Sequence, residues 1–204
     1  MKALTGPVPD GWQEMPLANV CQIVAGPSSS MIRPVETGGV PIDIVAPKHL
    51  QYGRIAGSST TVVTADASAR LDRYRLVPGD LICVRTGDLG KQALAGGEHE
   101  GWVAGTACFR LRPEPTVDSR YLLHYLGHPA VRDWITRHAS TATVPTLTLS
   151  TLRTLPVLVP PAATQATIGD IMGALDEKAA LHREIVEVTE HLRHSLLPLL
   201  LTNR

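Results

Sequence analysis

From Pro160-Pro161 onward the chain carries one long apolar stripe. Ile168, Ile171, Leu175, Leu181, Ile185, Val188, Leu192, Leu196 and Leu199 recur mostly three or four positions apart. That period predicts a helix sustained over about 30 residues, close to coiled-coil spacing. The register slips around Lys178–His182, which predicts a kink or a change of packing partner there. Pro198 is expected to end the regular helix, because it lacks an amide proton and crowds the preceding turn. A small domain covers only part of such a stripe; the remainder calls for a second helix, in this chain or another.

Residues 1–159 have a different texture, with short apolar runs between Gly- and Pro-containing turns. Asp80–Arg85 reads as a buried strand entered through Val77-Pro78-Gly79, and Ser58–Val63 is β-prone. Trp102–Ala104 and Thr106–Leu111 read as strands with an interruption at Gly105, the kind of place where a bulge or a close backbone approach occurs. Helices are predicted at Asp118–Gly127, where Tyr121, Leu122 and Tyr125 share a face, and at Pro129–His138, with Pro129 in the first turn. The expected class is α+β: one globular domain over residues 1–159, then a long helix over 160–204.

Composition narrows the function. The 204 residues suit one large domain, or one domain with an appendage, and Lys+Arg 19 balances Asp+Glu 19. That balance excludes an acidic tail protein and a histone-like wrapper, but not a local basic patch. Residues 1–160 hold 15 basic against 13 acidic side chains and residues 161–204 hold 4 against 6, too small an asymmetry to be a DNA signature. Eight aromatics argue against a stacking platform for single strands. Cys21, Cys83 and Cys108 form no Cys-x-x-Cys pair, so a reduced, cytoplasmic setting is expected. Met1–Pro7 has no signal-peptide core, and Leu196–Leu201 is far shorter than the about 20 apolar residues of a span, so no membrane role is expected.

Catalytic patterns fail on inspection. Gly87-Asp88-Leu89-Gly90-Lys91-Gln92 ends like a phosphate loop but has Arg85 and Gln92 where Gly and Ser or Thr are required. No Gly-x-Ser-x-Gly, His-Glu-x-x-His or Gly-x-Gly-x-x-Gly occurs, and Val159-Pro160-Pro161-Ala162 lacks the flanks of an adenine methyltransferase motif. His124 and His128 have metal-ligand spacing without further ligands nearby, so no metal and no cofactor of its own is expected, and the chain is read as not an enzyme. What remains are donor-rich loops: Gly26–Arg33, Pro47–His49 with Tyr52–Arg54, Arg85–Lys91, and Ala139–Thr146. Hydroxyls, amides and cations of this kind position phosphates, and Arg or Lys reads guanine in the major groove.

The order of several segments resembles the DNA-specificity subunit of type I restriction-modification systems, in a half-length form with a single target recognition domain. The resemblance is carried by Pro9-Asp10-Gly11-Trp12 through Leu17-Ala18-Asn19-Val20 to Gly26, Gly39-Val40-Pro41, and Leu76-Val77-Pro78-Gly79-Asp80-Leu81-Ile82 before Arg85-Thr86-Gly87. It continues through Tyr121-Leu122, Trp134-Ile135, Thr146-Leu147-Thr148, Leu152–Val157, Val159-Pro160-Pro161, Gln165, Ile168 and Leu175-Asp176. Two departures stand out: Ala162-Ala163-Thr164-Gln165 where the family usually has Leu-x-Glu-Gln, and Ala142-Thr143-Val144 where a Gly-Ser or Gly-Thr pair is common.

The resemblance implies a reader of double-stranded DNA that directs a separate adenine methyltransferase subunit to a bipartite target. S-adenosylmethionine is then expected in that partner, with a restriction/translocase subunit as an optional third component. Candidate DNA contacts are Arg33, Lys48, Arg54, Arg85, Thr86, Lys91 and Thr143. The full-length family member pairs two long helices antiparallel, so the stripe implies a homodimer through Ile171, Leu175, Ile185, Val188 and Leu192. The alternative is a protein-interaction adaptor or decoy that binds the methyltransferase without reading sequence.

Overall fold

The computed structural model describes residues 2–140 and 143–202, the backbone alone for Lys2; Thr141 and Ala142, in the expected hydroxyl-rich loop, lie outside them. The first half contains β1 (Lys2–Ala3), β2 (Gly6–Pro7), β3 (Gln13–Pro16), α1 (Leu17–Val20), β4 (Cys21–Ala25), β5 (Val40–Val45), β6 (Leu50–Gln51), β7 (Gly53–Ile55), β8 (Ser59–Val63), α2 (Ala65–Arg70), β9 (Leu81–Val84) and β10 (Gln92–Leu94). There follow β11 (Val103–Ala104), β12 (Cys108–Pro113), α3 (Ser119–Gly127), α4 (Pro129–His138), α5 (Leu149–Arg153), β13 (Pro156–Val159) and α6 (Ala162–Thr202). Single 3-10 turns lie at Ser29–Ile32, Pro47–His49, Asp72–Tyr74 and Gly97–His99.

The central sheet has the order β4-β12-β9-β10-β7-β6 and is antiparallel except where β10 runs parallel to β7. Its middle strand β9 is apolar on both faces, and the side chains alternate between two cores. Leu81 and Cys83 join the cluster under the helices, while Ile82 and Val84 face Val45, Leu50, Leu76 and Cys108. A strand covered on both sides reads as the unbroken run Leu-Ile-Cys-Val seen here. Phe109 and Leu111 of β12 point to the helix side, against Leu122, Leu126 and Leu155. A smaller sheet, β11-β5-β8, packs Ile42, Val63 and Val103 against Leu71 and Tyr74.

Gly26 and Gly105 show why the chain is interrupted between β11 and β12. A methyl group at Gly26 would collide with the Gly105 carbonyl, and one at Gly105 would sit 2.7 Å from the Val45 carbonyl oxygen. The two backbones therefore meet with no side chain between them, a close approach where the sequence suggests one.

The turn Val77-Pro78-Gly79-Asp80 is held by a fully buried carboxylate. Asp80 accepts from the Val77 N–H (2.9 Å) and, in a two-pronged contact, from Arg112 Nε and Nη2 (2.8 Å each), with Arg110 Nη1 at 3.7 Å. Arg110 is buried as well and donates to Gln22 Oε1 (2.9 Å). Burial and the neighbouring Arg112 pull the Arg110 pKa down, whereas hydrogen bonds to Asp80 hold that of Arg112 up. The network ties β9, β12 and β4 together.

Helix boundaries follow local chemistry. Asp118 caps α3 by accepting from the Arg120 and Tyr121 amides, and Thr148 caps α5. His128 caps α4 through Nδ1, which accepts from the Ala130 N–H (3.2 Å), and Pro129 occupies the first turn. Tyr121 and Tyr125 donate their hydroxyls to the carbonyls of Leu158 and Pro156.

The chain forms two compact units, residues 1–169 and 170–204. Helix α6 starts where the sequence texture changes, but its first turns belong to the first unit. Gln165 is 2% exposed; its Oε1 accepts from the Asp118 N–H (2.8 Å), and its Nε2 donates to the carbonyls of Pro160 (2.8 Å) and Thr116 (3.2 Å). At Gly169 an added methyl would meet Arg120 Cβ at 3.1 Å, so the helix lies close on the start of α3. In the second unit Ile171, Leu175, Ile185, Val188 and Leu192 are all exposed.

One expectation for α6 is corrected: Pro198 does not end the helix. The helix passes through Lys178–His182 without interruption and continues past Pro198 to Thr202. Proline there removes one bond, to the His194 carbonyl, at an exposed site where water replaces the lost donor. The hydroxyl of Thr202 donates back to the Pro198 carbonyl (2.7 Å).

Candidate nucleic-acid interface

Two of the donor-rich loops are joined by main-chain bonds. Beyond β9, the Arg85 N–H donates to the Ala107 carbonyl (2.8 Å), and its own carbonyl accepts from the Leu147 N–H (2.9 Å). Thr86 bridges Thr146 in antiparallel register, and the Gly87 N–H donates to the Pro145 carbonyl (2.9 Å). Gly87 has φ +98°, which a side chain would strain. Residues 85–87 are thereby held against 145–147, which sets Thr86 and Thr146 side by side (Oγ1 to Oγ1, 3.4 Å). Thr143 is exposed two residues before Pro145.

Arg85 is half-buried. Its guanidinium lies over the Phe109 ring, 5.9 Å from the centroid, and its buried Nε has no hydrogen-bond partner in the structure. A planar cation resting on an aromatic face is held in one orientation, and an arriving acceptor meets the exposed part of the guanidinium and not the enclosed Nε. At the far end of the same hairpin Lys91 pairs with Asp88 at 2.8 Å, both side chains well exposed. Such a pair contributes little and is easily exchanged.

The strip continues to a depression of about 430 Å³ lined by Leu50, Gln51, Tyr52, Gly53, Lys91, Gln92 and Arg132. Of the other expected contacts, Arg54 lies exposed on β7, opposite Gln51 in the β6–β7 hairpin, and Lys48 is exposed in the 3-10 turn just before β6. Arg33 stands apart from these: it ends the Ser29–Ile32 turn, whose Met31 and Ile32 pack on the smaller sheet. The structure thus brings Arg85, Thr86, Lys91 and Thr143 to one hairpin and its neighbour, places Lys48 and Arg54 on the adjoining edge hairpin, and leaves Arg33 elsewhere. Tyr52 and Arg132 were not expected. Arg132 sits in a helix with no pattern to mark it, and Tyr52 is recognisable only from its place before Gly53 in a tight turn.

Among the described residues, the His49–Ser59 pair is the one that invites a catalytic reading, and its tautomer speaks against it. His49 approaches Ser59 Oγ (3.4 Å), but His49 Nδ1 accepts from the Ala46 N–H (3.0 Å), so the ring proton sits on Nε2 and cannot take one from serine. Burial, with Lys48 beside it, lowers the His49 pKa further. Burial also pushes the Cys21 and Cys108 thiols up to about 12, and Cys83 higher still. Among the described residues no group of three potential metal ligands occurs, and His128 Nδ1 is already engaged as a cap.

A rigid sheet that presents hydroxyls and cations on stitched loops, followed by a long helix, defines a recognition module. The particular family is shown by sequence: the family model described as type I restriction modification DNA specificity domain matches residues 9–191. The chain belongs to that family.

Solved structures agree in fold. A chain from work on complex assembly and conformational transition of the type I R-M system is 21% identical (TM-score 0.66), with 93% of this chain and 44% of that one covered. The HsdS subunit from Thermoanaerobacter tengcongensis is 17% identical (TM-score 0.64), covering 93% and 48%. The type I restriction-modification S subunit from M. genitalium is 14% identical (TM-score 0.61), covering 96% and 47%. The chain spans about half the length of these structures. No curated protein sequence matches. No helix among the described residues is long and apolar enough to cross a membrane.

Proposed function

We propose that this chain reads double-stranded DNA in sequence-specific fashion for a separate adenine methyltransferase, and acts as a homodimer. The observation that carries the reading is the stitched pair of loops, in a member of the DNA-specificity family: Arg85, Thr86 and Lys91 project from backbone fixed to the central sheet, with Thr143 two residues before the seam. Fixed backbone is what base readout requires, since a specific side-chain contact needs its donor held in place before the DNA arrives. Methyl transfer, with its S-adenosylmethionine, belongs to the partner subunit. A restriction/translocase subunit joins in complexes that also cleave.

The dimer reading is supported by the exposed apolar residues of α6, Ile171, Leu175, Ile185, Val188 and Leu192. A second copy covers that face with its own α6 and brings a second recognition domain. Residues 170–202 rise about 50 Å as a helix, more than one turn of B-DNA, so each pair of domains reads two half-sites kept apart. Twofold symmetry makes the target a split inverted repeat.

The test is co-expression with the adenine methyltransferase subunit from the same genome, followed by long-read mapping of modified adenines. A split inverted repeat is expected. An asymmetric split motif refutes the homodimer in favour of a different half-subunit as partner. A stable complex with a methyltransferase that is active only with another specificity subunit refutes sequence reading and leaves an adaptor.

A further inference from the structure

Building on the reading of this chain as a DNA reader, we propose that the depression between the Tyr52 turn and Arg132 seats one backbone phosphate of duplex DNA, with Tyr52 pressed against the adjoining sugar. Two cations, Lys91 and Arg132, line it with Gln51 and with Gln92, whose amide is engaged with the Leu123 carbonyl. The guanidinium of Arg132 has no hydrogen-bond or ion-pair partner among the described residues, and its stem lies along the loop at Gly90. A methyl group at Gly90 (φ +89°) would stand 3.4 Å from Arg132 Cγ. Among the described residues, Lys91 pairs with the exposed carboxylate of Asp88 alone. A phosphate competes with that carboxylate for the same ammonium group, and wins by having Arg132 as well.

Tyr52 supplies the independent observation. Gln51 pairs with Arg54, so Tyr52 and Gly53 form a two-residue turn with φ +50° and +77°. Both central positions of such a turn favour Asn or Gly, and an aromatic residue in the left-handed region is strained. The Tyr52 side chain is 68% exposed, so burial does not offset the strain. An exposed aromatic ring beside a cationic hollow offers an adjoining sugar a flat apolar face. The hollow lies on the same hairpin as Arg85 and Thr86, which favours a phosphate of the DNA they read over that of a free nucleotide.

The experiment measures binding of the full chain, with its methyltransferase partner, to fluorescent duplexes carrying the methylated sequence or a scrambled one. Arg132→Ala is expected to weaken both equally and to flatten the salt slope by about 0.9 per site, roughly a threefold smaller loss per site between about 50 and 200 mM salt. Asp88→Asn is expected to tighten both, because it releases Lys91. Tyr52→Asn is expected to raise the melting temperature while weakening binding, which a purely structural role for the turn does not produce. Wild-type affinity and slope for Arg132→Ala, in a protein whose Arg85→Ala variant binds poorly, overturns the phosphate seat and leaves the DNA reading standing. Saturable binding of ATP that depends on Arg132, with DNA binding unaffected, assigns the hollow to a free nucleotide and overturns it too. If the wild-type complex binds no duplex, the functional reading falls first and the phosphate seat with it.

Discussion

Replacing Asp80 by Asn keeps the shape of the side chain and removes one charge from the centre of the fold. Asp80 has no solvent exposure and faces Arg112 with both oxygens, with the buried Arg110 at 3.7 Å. The amide can still accept from the Val77 N–H, but it offers one acceptor oxygen where Arg112 used two, and no charge to either guanidinium. Breaking a buried pair by removing one partner destabilises by about 3–5 kcal/mol, because an uncompensated charge is left inside. Arg112 is partly exposed and recovers some hydration, so the lower end, about 3 kcal/mol, is the expected value. With a urea m-value of about 2 kcal/mol/M, the midpoint should fall by about 1.5 M. Adding Arg110→Met to Asp80→Asn should recover at least about 1 kcal/mol in a double-mutant cycle, since the stranded charge goes with it. A loss below about 1 kcal/mol for Asp80→Asn, or strict additivity with Arg110→Met, would show that the three groups are not a coupled unit.

Further expectations concern other parts of the chain. Gln165→Ala removes three hydrogen bonds at the root of α6 and should cost about 2–4 kcal/mol, with faster hydrogen exchange at the Asp118 amide; unchanged protection there would contradict the clasp. Ile185→Asp with Leu192→Asp should turn dimers into monomers by light scattering without loss of helicity, and an intact dimer would refute the pairing face. For pH, the folded thiol pKa values of about 12 for Cys21 and Cys108 lie above the ordinary 9.0, so folding favours the protonated form. Stability from these groups is complete below about pH 9 and is lost as pH rises toward 12. A Cys21→Ala, Cys83→Ala, Cys108→Ala variant should show a flatter stability profile above pH 9, and a profile as steep as wild type would count against it.

Much of the fold was legible because the relevant physics is local. The stripe beginning at Ile168, Pro129 at a first turn, Asp118 before Ser119 and the continuous run Leu81–Val84 all announce their elements through periodicity or capping. The strands β3, β6, β10 and β13 were not legible: each is only two to four residues long and exists because a partner strand supplies its hydrogen bonds. Asp80 looked like a turn residue before a strand; its role depends on Arg110 and Arg112, thirty positions away. The candidate site divides the same way. Arg85, Thr86, Lys91 and Thr143 could be suspected from loop composition, but their joining depends on the bridge between Thr86 and Thr146. Arg33, equally promising by composition, went elsewhere because Met31 and Ile32 draw its turn onto the smaller sheet. Arg132 joined because α4 lays its stem along the loop at Gly90.

The seam between residues 85–87 and 145–147 is made wholly of main-chain groups, apart from the long contact between two threonine hydroxyls. Main-chain bonds do not depend on which side chain is attached, provided Gly87 keeps its unusual backbone and Thr86, Thr146 and Leu147 are not replaced by proline. The side chains at positions 86 and 146 are therefore free to change while the seam that carries them stays in place. On the proposed reading, a substitution there changes what the loops meet on DNA without changing how the sheet beneath them folds.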